Sequence, residues 1–346
     1  MTDIELILII SISLLGTLIV LYFIFALSVY LLINHAFHRP QKGLSGLKYF
    51  VPEEFSDIEC KHLSWIVNNN TLDGVLVTSR NEEVVQDKII VFFHGIGAGY
   101  EAYTKEIRLL ALKTQCPVVA FSLSGAGKSS GKKFSGIYPS LLEAQIILNQ
   151  LQLSPIGQNR DIYLVGHSLG GFIVSNVLTI KMLPQVKGII ALAAPNNFID
   201  VFSDVMHATK ALKILISWFF HIQYRKYAKI TTAKSISYNV VPTLMIHGTR
   251  DRVVAFTNSG QKYVDIANQH THIRAIAYQG RGHNLYLTPD SEHALHEMLV
   301  KASQYQKNRK SQKVAADNFF NQIDYDEIGQ DDEEIFTLIS EMIVKE

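Results

Sequence analysis

Cysteine is scarce. Only Cys60 and Cys116 occur among 346 residues, which excludes a disulfide scaffold and a four-cysteine zinc site. Net charge is nearly absent: Lys+Arg 32 against Asp+Glu 31 gives +1. With no basic excess, no nucleic-acid partner is expected, and with no acidic excess the chain does not read as wholly disordered. Charged residues of both signs reach only 18%, below the roughly 25% of soluble domains. No internal period repeats, which excludes solenoids, collagen and coiled-coil arrays. No His/Asp cluster has ligand spacing, so neither a metal nor another cofactor is expected. What is present in excess is apolar side chain, at 48%.

That excess is concentrated at the start. Residues 6–34 read LILIISISLLGTLIVLYFIFALSVYLLIN and hold no charged side chain. A bilayer core takes about 20 apolar residues in helix, and this run exceeds it. A cleaved signal peptide needs a positive leading segment and a short apolar core. Here Asp3 and Glu5 lead, and the core is too long, so residues 1–35 are expected to form an uncleaved single-pass membrane anchor. The flank after the run carries His38, Arg39, Lys42 and Lys48, whereas the flank before it carries only acids. Positive flanks stay cytoplasmic, so the rest of the chain is expected to face the cytosol, with 36–57 as linker. On that side Asn69-Asn70-Thr71 reads as a hairpin turn; on the other side it would be a glycosylation acceptor.

From residue 58 onward strands and helices alternate. ECKHLSWIV and LDGVLVTS flank a turn-prone NNNT and read as an edge hairpin. KIIVFF (88–93) is a continuous apolar run suited to a strand buried on both faces. Helix YEAYTKEIRLLALKT follows, then strand PVVAFS, helix YPSLLEAQIILNQL, strand DIYLVG, helix LGGFIVSNVLTI and strand VKGIIALAA. After an interruption come strand VPTLMIHG, a helix near FTNSGQKYVDIA, strand HIRAIAY and helix SEHALHEMLVKA. Such alternation builds βαβ units and a mostly parallel sheet with helices on both faces. The interruption, about 199–239, contains the apolar ALKILISWFFHIQY and is expected to be a small cap insertion over the strand ends. The tail, 305–346, is acidic through DYDEIGQDDEE. It ends in EIFTLISEMIVKE, whose Ile335, Leu338, Ile339, Met342 and Ile343 share a helical stripe. The tail either docks that stripe on the chain's own body or is disordered, or else the stripe takes a protein partner through Phe336 and Ile339.

The chemistry-bearing residues sit at strand ends. Strand DIYLVG runs directly into Gly166-His167-Ser168-Leu169-Gly170-Gly171 and a helix, the strand–turn–helix context in which G-x-S-x-G exposes a nucleophile. Side chains at the two flanking glycines would collide with facing backbone, and the following helix points its positive end at the site. Serine needs a base. His283, in QGRGHN after strand HIRAIAY, is placed to take the Ser168 proton. Asp251, in HGTRDRVV after strand VPTLMIHG, is placed to hold the imidazole. Asp200 and Asp290 are rival acids. A tetrahedral oxyanion needs donors, and the Ile96 and Leu169 amides are the expected pair, with His94 bracing the Gly95–Gly97 loop. SGAGKSS imitates a phosphate-binding loop, but Ser122 stands where that pattern requires its first glycine.

HGIG, SGAGKSSG, GHSLGG, HGTRDRVV and GRGHN occur in the order and spacing of an α/β-hydrolase, over roughly Ile58 to Ala302. Within that superfamily the chain resembles the membrane-anchored monoacylglycerol lipase and lysophospholipase branch. The resemblance implies an α/β-hydrolase domain over 58–304, with nucleophile Ser168, acid Asp251, base His283 and oxyanion amides Ile96 and Leu169. It departs from the pattern at Ser122, where relatives carry a loop-bracing Asp. A serine at the elbow excludes the carboxylate-nucleophile chemistries of this fold. The expectation is a membrane-anchored serine hydrolase of carboxylic esters, with a lipid-derived substrate such as a monoacylglycerol or lysophospholipid. Peptidase, amidase or acyltransferase chemistry and a non-catalytic binding module are the alternatives.

Overall fold

The computed structural model describes all residues except 1, 38, 39, 41, 81, 82, 133, 135, 309–312 and 346. His38 and Arg39, two of the four basic groups in the flank used for orientation, therefore lie outside the described residues. Eight strands form one sheet: β1 (Ile58–Val67), β2 (Asn70–Ser79), β3 (Lys88–Phe93), β4 (Val118–Phe121), β5 (Asp161–His167), β6 (Val186–Leu192), β7 (Thr243–Gly248) and β8 (Ile273–Tyr278). Their order is β1-β2-β4-β3-β5-β6-β7-β8. β1 and β2 form the expected antiparallel hairpin at one edge, and strands β3 to β8 run parallel. The hairpin turn is made by Asn68 and Asn69, both at positive φ (49° and 64°), the type I′ geometry that asparagine tolerates and that matches strand twist.

The helices are α1 (Asp3–Phe37), α2 (Thr104–Thr114), α3 (Ile137–Leu153), α4 (Leu169–Asn176), α5 (Phe198–Val205), α6 (Lys210–Tyr224) and α7 (Thr232–Tyr238). They continue with α8 (Gly260–Ala267), α9 (Pro289–Lys307), α10 (Lys313–Asn321) and α11 (Glu333–Lys345). Strand alternation distributes them between two layers. Ile89, Val91 and Phe93 of β3 join the core formed with α3 and α4, while Ile90 and Phe92 join the core formed with α2 and α11. Such a strand is apolar at every position because both its faces are covered.

The tail stripe lies on the chain's own body. Ile335, Phe336, Ile339 and Ile343 are buried beside Ile107 and Leu110 of α2. Burying a side chain of that size is worth about 1.5–3 kcal/mol. Polar contacts add to this: Arg281 Nη1 donates to Asp332 (2.7 Å), Tyr278 Oη to Glu334 (2.9 Å), and the Asp332 N–H to the Tyr286 carbonyl (2.7 Å). The tail thus braces the stretch around His283. Part of the segment expected as linker also packs, with Leu44 and Leu47 against Phe320 and Met298 of α10 and α9. α1, over Asp3–Leu31, is long and apolar enough to cross a membrane.

Candidate active site

β5 ends at His167, and Ser168 takes φ 56° and ψ −116° before α4 begins. Positive φ at a non-glycine residue is strained, and it turns the side chain out of the strand–helix corner. The flanking glycines follow from close backbone approach. A Cβ on Gly166 would lie 2.4 Å from the Gly170 carbonyl, and one on Gly170 would lie 1.8 Å from the Phe93 carbonyl oxygen. Both obstacles are main chain, so neither can rotate away. Gly95, at the head of the loop after β3, packs on the same corner; its added Cβ would lie 3.3 Å from Ser168 Cβ. Leu169 opens α4, so its N–H is among the donors a helix leaves unsatisfied at its N-terminus. Ile96 follows Gly95 with its side chain 41% exposed.

Three distant residues meet here. Ser168 Oγ donates to His283 Nε2 at 3.0 Å, and His283 Nδ1 donates to Asp251 Oδ2 at 2.8 Å. Asp251 is fully enclosed as a side chain, while His283 keeps 15% exposure. The other Asp251 oxygen accepts the Val253 and Val254 N–H groups, both at 2.8 Å. Burial alone would raise the Asp251 pKa, but the His283 hydrogen bond, the neighbouring imidazoles and the Val254 amide outweigh it, and the carboxyl is held below its ordinary value. Glu292 clamps the His283 loop from both sides, accepting the Gly282 N–H (2.9 Å) and the Asn284 N–H (2.8 Å). In this arrangement the imidazole can accept the Ser168 proton while a carboxylate whose ionised form is favoured faces its other nitrogen.

The rival acids lie elsewhere. Asp200 pairs with Lys213 (2.6 Å) and Lys262 (3.4 Å) on the insertion side. Asp290 is exposed at the start of α9.

His94 Nδ1 donates to its neighbour's carbonyl (Gly95, 2.6 Å), and Nε2 accepts the Leu123 N–H (3.0 Å), tying the loop after β3 to the end of β4. Ser122 Oγ donates to Glu101 Oε2 (2.9 Å) and accepts the Tyr100 N–H (3.1 Å). A carboxylate therefore does reach this loop, but it belongs to Glu101 rather than to the strand-end position.

Sequence reasoning missed one connection. Tyr103 Oη accepts the Gly95 N–H (3.2 Å) and donates to His167 Nδ1 (2.9 Å), and His167 Nε2 donates to the His283 carbonyl (2.9 Å). The loop after β3, the elbow and the His283 loop are joined through this buried pair. The available signal was His167 itself, a polar residue between two buried elements. Tyr103→Phe strands the Gly95 N–H and His167 Nδ1. A loss of about 1–3 kcal/mol in urea unfolding is expected, and unchanged stability would show the link to be idle.

Three buried histidines set an acid limit. Burial pulls His94 from 6.5 to about 4. Burial and the nearby His283 pull His167 from 6.5 to about 3, and burial lowers His247. The unfolded chain binds protons near 6.5 that the folded chain refuses, so stability is lost as pH falls below that value, until each folded pKa is reached. For each histidine the loss is up to about 1.4 kcal/mol per pH unit. The urea midpoint is expected to fall between pH 7 and pH 5; a flat midpoint would contradict neutral burial of these rings.

An alpha/beta hydrolase fold family matches residues 88–226, a stretch that includes Ser168 and stops before Asp251 and His283. A solved esterase from Pyrococcus furiosus superposes with TM-score 0.54 at 16% identity, covering 79% of this chain and 97% of that chain. A second crystal form of that enzyme gives 0.54 at 18% identity, covering 76% and 96%.

The chain has the α/β-hydrolase fold.

At such identity the likeness to the esterase is one of fold. None of the curated proteins matches the chain. In the α/β-hydrolase fold the carboxyl ends of the parallel strands carry the ligand site. Here Ser168, Asp251 and His283 follow β5, β7 and β8 at that end.

Proposed function

We propose that the protein is a membrane-anchored serine hydrolase that cleaves carboxylic esters. The observation that carries the reading is the unbroken Asp251–His283–Ser168 hydrogen-bond chain, at 2.8 and 3.0 Å, on a strained elbow. Ser168 Oγ attacks the acyl carbonyl carbon as its proton passes to His283 Nε2. Asp251 stabilises the imidazolium that forms. The carbonyl oxygen becomes an oxyanion received by the Ile96 and Leu169 amides. On collapse the C–O bond to the alcohol breaks, and His283 returns the proton to that oxygen. Water repeats the sequence on the acyl-serine and releases the acid.

A lipid-derived ester is the preferred substrate. The support is α1, which is apolar over Asp3–Leu31, and the inserted apolar α6, which would hold the site close to acyl chains. The basic Lys42 and Lys48 after α1, against Asp3 and Glu5 in its first turn, favour a cytosol-facing domain. The test is a fluorophosphonate probe together with a panel of lipid esters, comparing wild type with Ser168→Ala. Labelling and turnover of monoacylglycerols or lysophospholipids are expected for wild type only. Equal turnover by both proteins would overturn the proposal.

A further inference from the structure

α6 is two-faced. Ile216, Phe219 and Phe220 enter the core, whereas Ile214, Trp218 and Ile222 are 59%, 61% and 67% exposed. Residues four apart share a helix face, so these three form an outward apolar stripe where a surface helix normally carries charge. The stripe borders α1. Trp218 stands edge-on to Tyr22 with ring centroids 6.2 Å apart, and Leu215 and Trp218 line an apolar groove with Leu18, Ile19 and Tyr22.

Tyr22 marks a change in α1. Up to Leu21 every described side chain is exposed, while from Tyr22 the stripe continuing through Phe25, Ala26 and Val29 packs inward. The free part is about 19 residues, or roughly 28 Å at 1.5 Å per residue, close to the ~30 Å of a hydrocarbon core. Tyr22 and Trp218 therefore sit where a bilayer would end, the level at which tyrosine and tryptophan collect.

Charge agrees. Between Asp204 and Asp251 the chain has no acidic residue but carries Lys210, Lys213, Arg225, Lys226, Lys229 and Lys234 before the next strand. All but Lys213, which is half-buried, are exposed. A tryptophan-bearing apolar face flanked by cations is suited to the headgroup boundary of an anionic bilayer.

We infer that α6 is an interfacial helix whose Ile214–Trp218–Ile222 stripe seats in the headgroup boundary of an anionic bilayer, beside the point where α1 enters it. This rests on the membrane-anchor part of the proposed function and deepens it. The insertion springs from the end of β6, whose Leu192 carbonyl accepts the Ser168 N–H at 2.8 Å. The chain therefore enters the insertion beside the candidate nucleophile.

Trp65 and Trp218 are the only tryptophans, so Trp65→Phe leaves Trp218 as the sole reporter in the full-length chain. A second variant, Trp65→Phe/Trp218→Phe/Leu14→Trp, reports on α1. Both are reconstituted into vesicles of equal parts phosphatidylglycerol and brominated phosphatidylcholine. Trp218 emission is expected to fall by about half with bromine near the headgroup and less with bromine near the chain end, with the opposite order for the Leu14→Trp variant. Replacing phosphatidylglycerol by phosphatidylcholine is expected to weaken Trp218 quenching about twofold and leave the α1 reporter unchanged. An unquenched Trp218 beside a quenched α1 reporter overturns the inference alone, as would a second copy or a protein covering the stripe. Quenching of Trp218 that ignores lipid charge overturns the anionic preference. Absence of quenching at both positions overturns the anchor as well.

Discussion

Ser168→Ala is expected to lower kcat/KM for a water-soluble aryl ester by about 10⁶-fold, or about 8 kcal/mol of transition-state stabilisation. The size follows from the geometry. Among the described residues His283 Nε2 has one hydroxyl to deprotonate, Ser168 Oγ at 3.0 Å. Without that oxygen only the positioned amides and substrate binding remain to accelerate attack by water. His283→Ala is expected to fall in the same range, and the double variant is expected to be no worse than either single one, because the two groups act as one unit. Asp251→Asn is expected to cost less, about 10⁴-fold, since it spoils the tautomer and leaves the nucleophile in place. The folded state is expected to tolerate Ser168→Ala within about 0.5 kcal/mol, as the half-buried hydroxyl's one partner among the described residues is the partly exposed His283 Nε2. Residual hydrolysis above one-tenth of wild type, measured with an active-site-titrated enzyme, would remove Ser168 from the chemistry.

The second large effect concerns a residue with no side chain. Gly170→Ala places a Cβ 1.8 Å from the Phe93 carbonyl oxygen and 2.5 Å from its carbon. Relief requires moving either the start of α4 or the end of β3. The first carries Leu169 and the second leads into His94, Gly95 and Ile96, so either movement separates the two expected oxyanion donors from the Ser168 corner. A stability loss of about 3 kcal/mol or more is expected, together with loss of esterase turnover in whatever protein still folds. Gly16→Ala is the matched control: its Cβ meets nothing within 4 Å, and a helix interior gains up to about 1 kcal/mol from the exchange. Thermal unfolding of the two variants side by side decides the matter. If Gly170→Ala melts with the wild type, the glycine spacing has no steric origin.

How far the sequence could be read depended on the range of the interactions involved. KIIVFF announced a central strand because burial on both faces removes polar residues from every position after Lys88, a local effect. A turn in NNNT was legible because asparagine is among the few residues that accept positive φ, but its tip falls on Asn68–Asn69, and Asn70 and Thr71 already belong to β2. Gly166 and Gly170 were legible because a turn that tight admits only one residue type on either side of Ser168. The order of Ser168, Asp251 and His283 could be read because each follows a strand whose end lies on one edge of a parallel sheet.

Other features have no local signature. Tyr103 is an ordinary aromatic in sequence, yet its hydroxyl joins Gly95 to His167. Glu101 supplies its carboxylate to Ser122, 21 positions further along the chain and beyond both α2 and β4. Arg281 looks like one more surface cation until Asp332 meets it from the tail.

The sequence by itself determined the layered α/β plan, the elbow and the three candidate catalytic positions, because periodicity, turn chemistry and strand-end placement are written within a few neighbouring residues. Only the tertiary structure decided that the tail stripe lies on α2, that Asp200 is engaged by Lys213 and Lys262 rather than by His283, and that α6 stands beside α1. Those outcomes depend on which surfaces meet after chain segments far apart are brought together, and side chains of the same kind could have met other partners equally well.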